Sequence, residues 1–270
     1  MQRDFVTGID TEANLGFDDN RINTVMKFAS FDLEIAKDLP ENIDRWEDHA
    51  PLGITCAALA LSDNDDVIYW SGVPSLDKTE CIKMVHDLQA IVNEGYKILT
   101  WNGAGFDFHV LAQESGLFRE CGELALNHID MMLLVTFRKG WYLSLQKVLD
   151  GAGLKGKLKQ VVLSDGAILH DMDGAKAPRL WAAGEYDAVL AYLEEDVEQP
   201  LELAEFILKE KRIVWTSNSG RTMTVRIEKL QTVRECFSIP EPDISWMDAP
   251  PSRSQFISWI PKDILEVALG

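Results

Sequence analysis

Phe28-Ala29-Ser30-Phe31-Asp32-Leu33-Glu34-Ile35 is an apolar run broken by two carboxylates spaced two residues apart. Side chains alternate across a β-strand, so Asp32 and Glu34 share one face while Phe31, Leu33 and Ile35 take the other. Two anions at the end of a buried strand raise each other's pKa and destabilise the fold unless a cation lies between them. A divalent metal meets that need. Taken alone, Asp-x-Glu also describes a strand ending in a polar turn, and the rest of the chain decides between the two.

Outward from this strand, expected over Thr24 to Leu33, the elements alternate. Gly53 to Ser62 and Val67 to Ser71 flank Asp63-Asn64-Asp65-Asp66 and predict a hairpin. Cys81, Ile82, Val85, Leu88, Ile91 and Val92 recur at helical spacing over Lys78 to Asn93, and Gly95 ends that helix. Lys97 to Trp101 reads as a buried strand, followed by a helix from Ala104 to Gly116. A short strand is expected within Leu124 to Asp130, with helices over Met131 to Phe137 and Leu143 to Leu149. Gly153 to Pro178 lacks a period and reads as a functional loop. Glu185 to Lys209 is helical, with a kink expected at Pro200. Strands followed by alternating helix and strand predict an α/β fold with a sheet of mixed direction.

The two ends differ from this middle. Residues 1–23 are polar and aperiodic, an N-terminal arm; 24–211 form the main domain; 212–270 are a C-terminal extension. In the extension, Asn218-Ser219-Gly220 predicts the turn of a β-hairpin. Ser252 and Gln255 have capping-box spacing before a short helix over Phe256 to Ile260 that Pro261 stops.

With 270 residues, 46% of them apolar, the chain has enough material for a large core. It contains no run of roughly 18 uninterrupted apolar residues and no charged-then-apolar leader, so a cytoplasmic protein without a membrane partner is expected. Cys56, Cys81, Cys121 and Cys236 are far apart and predict neither a zinc site nor a disulfide frame, which leaves oxygen to hold any metal. The net charge of −18 opposes a phosphate-rich partner, but the charge is uneven. From Arg138 to Lys159 six cations face the single anion Asp150, and from Lys209 to Arg234 seven cations face Glu210 and Glu228. Each stretch carries +5 in an acidic background.

Two further motifs carry chemistry. Trp101-Asn102-Gly103-Ala104-Gly105-Phe106-Asp107 takes a strand through a glycine turn into a helix, and so places Asp107 at the C-terminal edge where α/β sheets gather sites. Tyr192 and Asp196, four apart, stack on one helix face. Singly, each has an ordinary explanation: an acid favoured by a helix dipole, or a half-buried tyrosine beside a surface acid. Together, Asp32, Glu34, Asp107 and Asp196 make an oxygen-only set of formal charge −4 that suits two Mg²⁺ or Mn²⁺ ions. His109 and His128 are expected to be structural.

From Phe28 to Ile207 the chain resembles the DEDD 3′-to-5′ exonucleases of the ribonuclease H-like fold. Asp32 and Glu34 match the first motif, Asn102 to Asp107 the second, and Tyr192-x-x-x-Asp196 the third. The histidine branch has His five residues before the last Asp. Here that position is Ala191, and Tyr192 places the likeness in the tyrosine branch. Ser30 to Glu34, Trp101 to Asp107 and Leu143 to Leu149 look most like the exonuclease domain of family B DNA polymerases. The resemblance implies a ribonuclease H-like mixed sheet flanked by helices and two Mg²⁺ (or Mn²⁺) held by Asp32, Glu34, Asp107 and Asp196. It also implies a Tyr192 hydroxyl that orients the attacking water or helps to deprotonate it, positioning being favoured by an ordinary tyrosine pKa of about 10, with Leu33, Asn102 and Phe106 against the terminal nucleotide. The implied reaction releases nucleoside monophosphates from single-stranded 3′ ends, DNA before RNA, in a proofreading or repair setting. Ribonuclease D shares the tyrosine pattern. An exoribonuclease, a structure-specific endonuclease and a non-catalytic module that binds nucleic-acid ends are the alternatives.

Overall fold

The computed structural model describes residues 26–41, 43–245 and 247–270. The arm expected over 1–23 lies outside them, as does the start of the strand expected from Thr24. Strand β1 (Lys27–Ile35) carries the opening motif and pairs antiparallel with β2 (Ile54–Leu61), which pairs antiparallel with β3 (Val67–Ser71). On its other side β1 runs parallel to β4 (Tyr96–Thr100), and β4 parallel to β5 (Ile129–Asp130). The sheet order is β3-β2-β1-β4-β5, an α/β architecture whose mixed five-stranded sheet is flanked by helices.

Both faces of β1 are covered. Ala29, Phe31 and Leu33 enter the main core, where Phe31 stacks on Phe108 with ring centroids 5.9 Å apart. Helices α1 (Lys78–Asn93), α2 (Asp107–Ser115), α3 (Phe118–Asn127), α4 (Met131–Lys139) and α5 (Leu145–Ala152) contribute to that core. The opposite face carries Ser30, Asp32 and Glu34, opposed on β2 by Ala60, Ala58 and Cys56. These small neighbours let α7 (Tyr186–Glu210) lie close on β1 and β2, with Val189, Tyr192, Leu193 and Val197 buried against the sheet.

Several elements follow the sequence closely. Helix α1 spans the residues expected of it, and Asp77 and Glu80 form a reciprocal capping box at its start. The predicted C-terminal hairpin is β8 (Arg212–Thr216) and β9 (Thr222–Arg226), with Gly220 at φ 77° in the turn.

Others differ for identifiable reasons. The residues from Leu124 to Asn127 end helix α3, and only Ile129 and Asp130 pair as strand. Gly122 obscures the helical pattern; a Cβ there would lie 2.8 Å from Ile260 Cγ2, so glycine lets the C-terminal segment press onto α3. The expected loop over Gly153 to Pro178 contains a small hairpin, β6 (Gln160–Val162) and β7 (Ile168–His170), and the start of α6 (Ala177–Ala182). Helix α7 continues past Pro200 to Glu210.

At the C-terminus, α8 (Val233–Cys236) is capped by Thr232 and Glu235. Ser252 makes no side-chain cap bond, and the segment after it is a 3-10 turn, Arg253–Phe256. Pro261 stands before α9 (Lys262–Leu269) and starts that helix instead of ending one. Ile213, Trp215, Ile227, Val233, Phe256 and Ile260 are buried in the same core as the sheet. Among the described residues no helix is long and apolar enough to cross a membrane.

Candidate active site

Strand register creates the site. The pairing of β1 with β4 ends at Ser30 opposite Leu99, so Asp32 and Glu34 extend beyond it, beside the turn that leaves β4. That turn is tightly specified. Asn102 has φ 81°, a conformation that Asn tolerates better than most residues. A Cβ on Gly103 would lie 2.4 Å from Thr100 Oγ1. The turn's amides are held from below: Asp130 Oδ1 accepts from Asn102 N at 3.1 Å, and Asp130 Oδ2 accepts from Ala104 N at 3.0 Å. Asp130 also caps α4 by accepting from Leu133 N at 3.0 Å. The turn thus delivers Asp107 as the first residue of α2, 3% exposed.

Helix α7 supplies the other wall. Tyr192 and Asp196 lie one turn apart, both buried, above Asp32 and Glu34. One ligand oxygen each from Asp32, Glu34 and Asp196 can be chosen so that all three lie within 4.8 Å of one another, a group able to hold a metal ion. Asp107 stands outside this trio but acts electrostatically on Asp32 and Glu34. Asp107 Oδ1 and Asp196 Oδ1 are buried and have no hydrogen-bond partner among the described residues. Orphaned buried carboxylate oxygens are costly, and a bound cation is their natural complement. The donor set therefore fits a hard divalent ion.

The electrostatics agree. Burial pushes Asp32 and Glu34 well above the usual carboxylate range, and neighbouring carboxylates, Asp107 and Asp196 for Asp32 and Asp196 for Glu34, push them further. Burial carries Asp107 up to about 7. Asp196 is raised by burial too, with Lys157 working against the rise. Burial, then the Asp196 charge, holds the Tyr192 hydroxyl above its ordinary value, so it is neutral at physiological pH.

Lys157 is the residue the sequence did not single out as a site residue. It follows α5 in the stretch before β6, and its Nζ donates to Asp196 Oδ2 at 2.8 Å and to the Tyr192 hydroxyl at 3.1 Å. Burial opposes its charge, yet Asp196 and Asp32 outweigh burial and raise its pKa. The formal charge of the set is thereby −3 with Lys157 included, not the −4 counted from the acids alone. The only sequence signal for it was membership in a basic run.

A cavity of about 320 Å³ opens over these groups, lined among others by Asp32, Glu34, Leu33, Phe106, Lys157, Tyr192 and Asp196. Leu33 and Phe106 are among its lining residues, although the Leu33 side chain is buried in the main core. Asn102 does not line it and belongs to the supporting turn. A smaller recess of about 70 Å³ behind it touches Asp32, Trp101, Leu145, Lys157, Asp196 and Pro200. The larger cavity of about 380 Å³ among α1, β4 and α3 lies at the other end of β4, beside Tyr96 and Lys97. It holds no group of three metal-ligating side chains among the described residues, whereas the cavity of about 320 Å³ is lined by Asp32, Glu34 and Asp196.

Both histidines stay out of the site. His128 is buried, with Nδ1 2.7 Å from Ala125 O and Nε2 2.9 Å from Thr100 Oγ1, and burial lowers it to about 4. His109 stacks on Trp259 at 5.1 Å and meets Trp46 edge-on, and burial lowers it to about 4 as well. Neither a protein-family model nor a curated protein sequence matches the chain.

Proposed function

We propose that the protein is a metal-dependent 3′-to-5′ exonuclease of the tyrosine-type DEDD class, built on a ribonuclease H-like sheet. It releases nucleoside monophosphates from single-stranded ends, DNA in preference to RNA. The sheet order is compatible with that layout. The observation that carries the reading is the grouping of one oxygen each from Asp32, Glu34 and Asp196 within 4.8 Å, with two buried carboxylate oxygens, on Asp107 and Asp196, unpaired among the described residues.

In this reading Asp32, Glu34, Asp107 and Asp196 hold two Mg²⁺ or Mn²⁺ ions. When bound, such ions activate water and stabilise the leaving oxygen of an in-line phosphoryl displacement. Tyr192, neutral and fixed by Lys157, orients the water by hydrogen bonding and does not take its proton. Lys157 favours the ionised form of Asp196 against burial and brings a positive charge to the place where the phosphoryl group gains negative charge. Leu33 and Phe106 flank the terminal nucleotide, the phenyl ring by stacking.

One observation favours a rival. Lys157 already pairs with Asp196, and a site neutralised by its own lysine would suit a module that binds ends without cutting. Incubating 5′-labelled single-stranded DNA and RNA with the protein and Mg²⁺ or Mn²⁺ separates these readings. A ladder shortening from the 3′ end, stronger on DNA and lost in Asp196→Ala, is the expected result. A single internal cut, no cleavage of either polymer, or an Asp196→Ala protein as active as wild type overturns the proposal.

A further inference from the structure

The two basic stretches, far apart in sequence, meet in space. Helix α5 packs on β8, and a Cβ on Gly151 would lie 2.0 Å from Val214 O, so the two backbones are in close contact. This places Lys147 of α5 beside the β8–β9 turn, where its Nζ donates to Asn218 Oδ1 at 3.0 Å. Lys139, at the end of α4, lies with its Nζ 5.5 Å from the centre of the Trp215 ring.

Among the described residues neither lysine has a carboxylate in ion-pair contact, although the chain carries 44 acidic residues against 26 basic ones. The two instead repel: burial, then the charge of Lys147, lowers the pKa of Lys139. A helix C-terminus favours a cation at Lys139, but Lys147 stands in the first turn of α5, where the dipole disfavours one. Unpaired, mutually repelling cations in an acidic protein are stabilised by an external anion.

The surroundings specify which kind. Trp141, 43% exposed, lies two residues from Lys139 and packs edge-on against Tyr142, whose ring meets Phe256 at 6.0 Å. Phe256 in turn sits on the Asn102–Phe106 turn, with its Cδ1 3.2 Å from where a Gly105 Cβ would be. Leu145, two residues before Lys147, lines the recess behind Asp32 and Asp196. Tyr142 and the buried Phe256 thus link this patch through packed rings to the turn before Asp107, and Leu145 links it to the recess. An exposed aromatic face beside cations is what a single nucleic-acid strand requires.

We propose that Lys139, Lys147, Asn218 and Trp141 form a holding track for the phosphates and bases of a nucleic-acid strand, upstream of the 3′ end that enters the cleft. The identity of the strand rests on the nuclease reading, but the track is tested without cleavage. Fluorescence anisotropy of a labelled 20-nucleotide single strand, in chelator, gives affinity against salt. Wild-type protein binds with a steep salt dependence. Lys139→Gln/Lys147→Gln weakens binding about tenfold and reduces the log–log salt slope by about 1.4, the loss of two phosphate contacts. Lys147→Gln alone, at an exposed position where losing a cation does not harm the helix, gives about half that change in slope. Lys83→Gln, a surface lysine paired 2.6 Å from Asp87, leaves binding unchanged. Absence of wild-type binding, or variants at Lys139 and Lys147 that bind as wild type or lose no more than Lys83→Gln, overturns the track. If wild type binds with the expected slope but never shortens DNA or RNA in Mg²⁺ or Mn²⁺, the nuclease reading falls and the track stands.

Discussion

Asp130 and Asp107 are both aspartates at the C-terminal edge of the same sheet, both buried, and they have opposite fates. Both oxygens of Asp130 accept from backbone N–H groups, Oδ1 from Asn102 in the turn and Leu133 in α4, Oδ2 from Ala104 in the turn. Burial raises its pKa, and those bonds oppose the rise. Among the described residues Asp107 Oδ1 and Asp196 Oδ1 have no hydrogen-bond partner. A satisfied buried carboxylate is a structural fastener, whereas an orphaned one needs a ligand that the chain itself does not supply.

The contrast is sharpest in activity. Asp196→Ala and Asp107→Asn should each reduce cleavage by about a thousandfold, the several kcal/mol a metal-ligand position supplies, with little change in folding. Asp130→Ala should do the reverse: it strands buried amides and costs about 3 kcal/mol of stability in denaturant unfolding. If Asp107→Asn were the more destabilising of the two in metal-free protein, the distinction would collapse.

Stability against pH probes the same difference. The folded-state pKa of Asp107, near 7, is above its unfolded value, so its contribution is present below the unfolded pKa and is lost as pH rises through about 7. Asp32 and Glu34 shift in the same direction. Without metal, the melting temperature should therefore fall between pH 5.5 and 8, and Asp107→Asn should flatten that fall. Millimolar Mn²⁺ should restore the loss at pH 8 in wild type. A melting temperature indifferent to both pH and metal would break the link between burial and ligand demand.

The smallest expected effect concerns the lysine. Lys157→Gln removes a charge-assisted bond to Asp196 and should slow cleavage by roughly tenfold, about 1.4 kcal/mol. Measured as kcat and KM, the loss should fall on kcat. A change in KM alone would make Lys157 a binding group.

How much of this could be read from sequence follows from the range of the forces involved. The Asp32–Glu34 face followed from strand alternation, and Tyr192 above Asp196 from helical spacing, because both are periods of one element. Asp107 followed from a glycine turn into a helix. Lys157 did not, since nothing local separates it from Lys155 and Lys159; only the packing of its stretch against α7 brings its Nζ to Asp196. Asp130 looked like the last residue of a short strand, and its three amide partners come from residues as far as 28 positions away. Helix α9 was hidden by Pro261, a residue that can stop a helix or start one, the choice being made where Ile260 and Ile264 reach the core.

Titration of metal-free protein with Mn²⁺ by calorimetry tests, without a substrate, whether the orphaned oxygens mark a divalent-cation site. Saturable binding to wild type is expected, lost or strongly weakened in Asp196→Asn and retained in Lys83→Gln. A wild-type titration with no binding heat, or an Asp196→Asn protein that binds Mn²⁺ as wild type does, would contradict it.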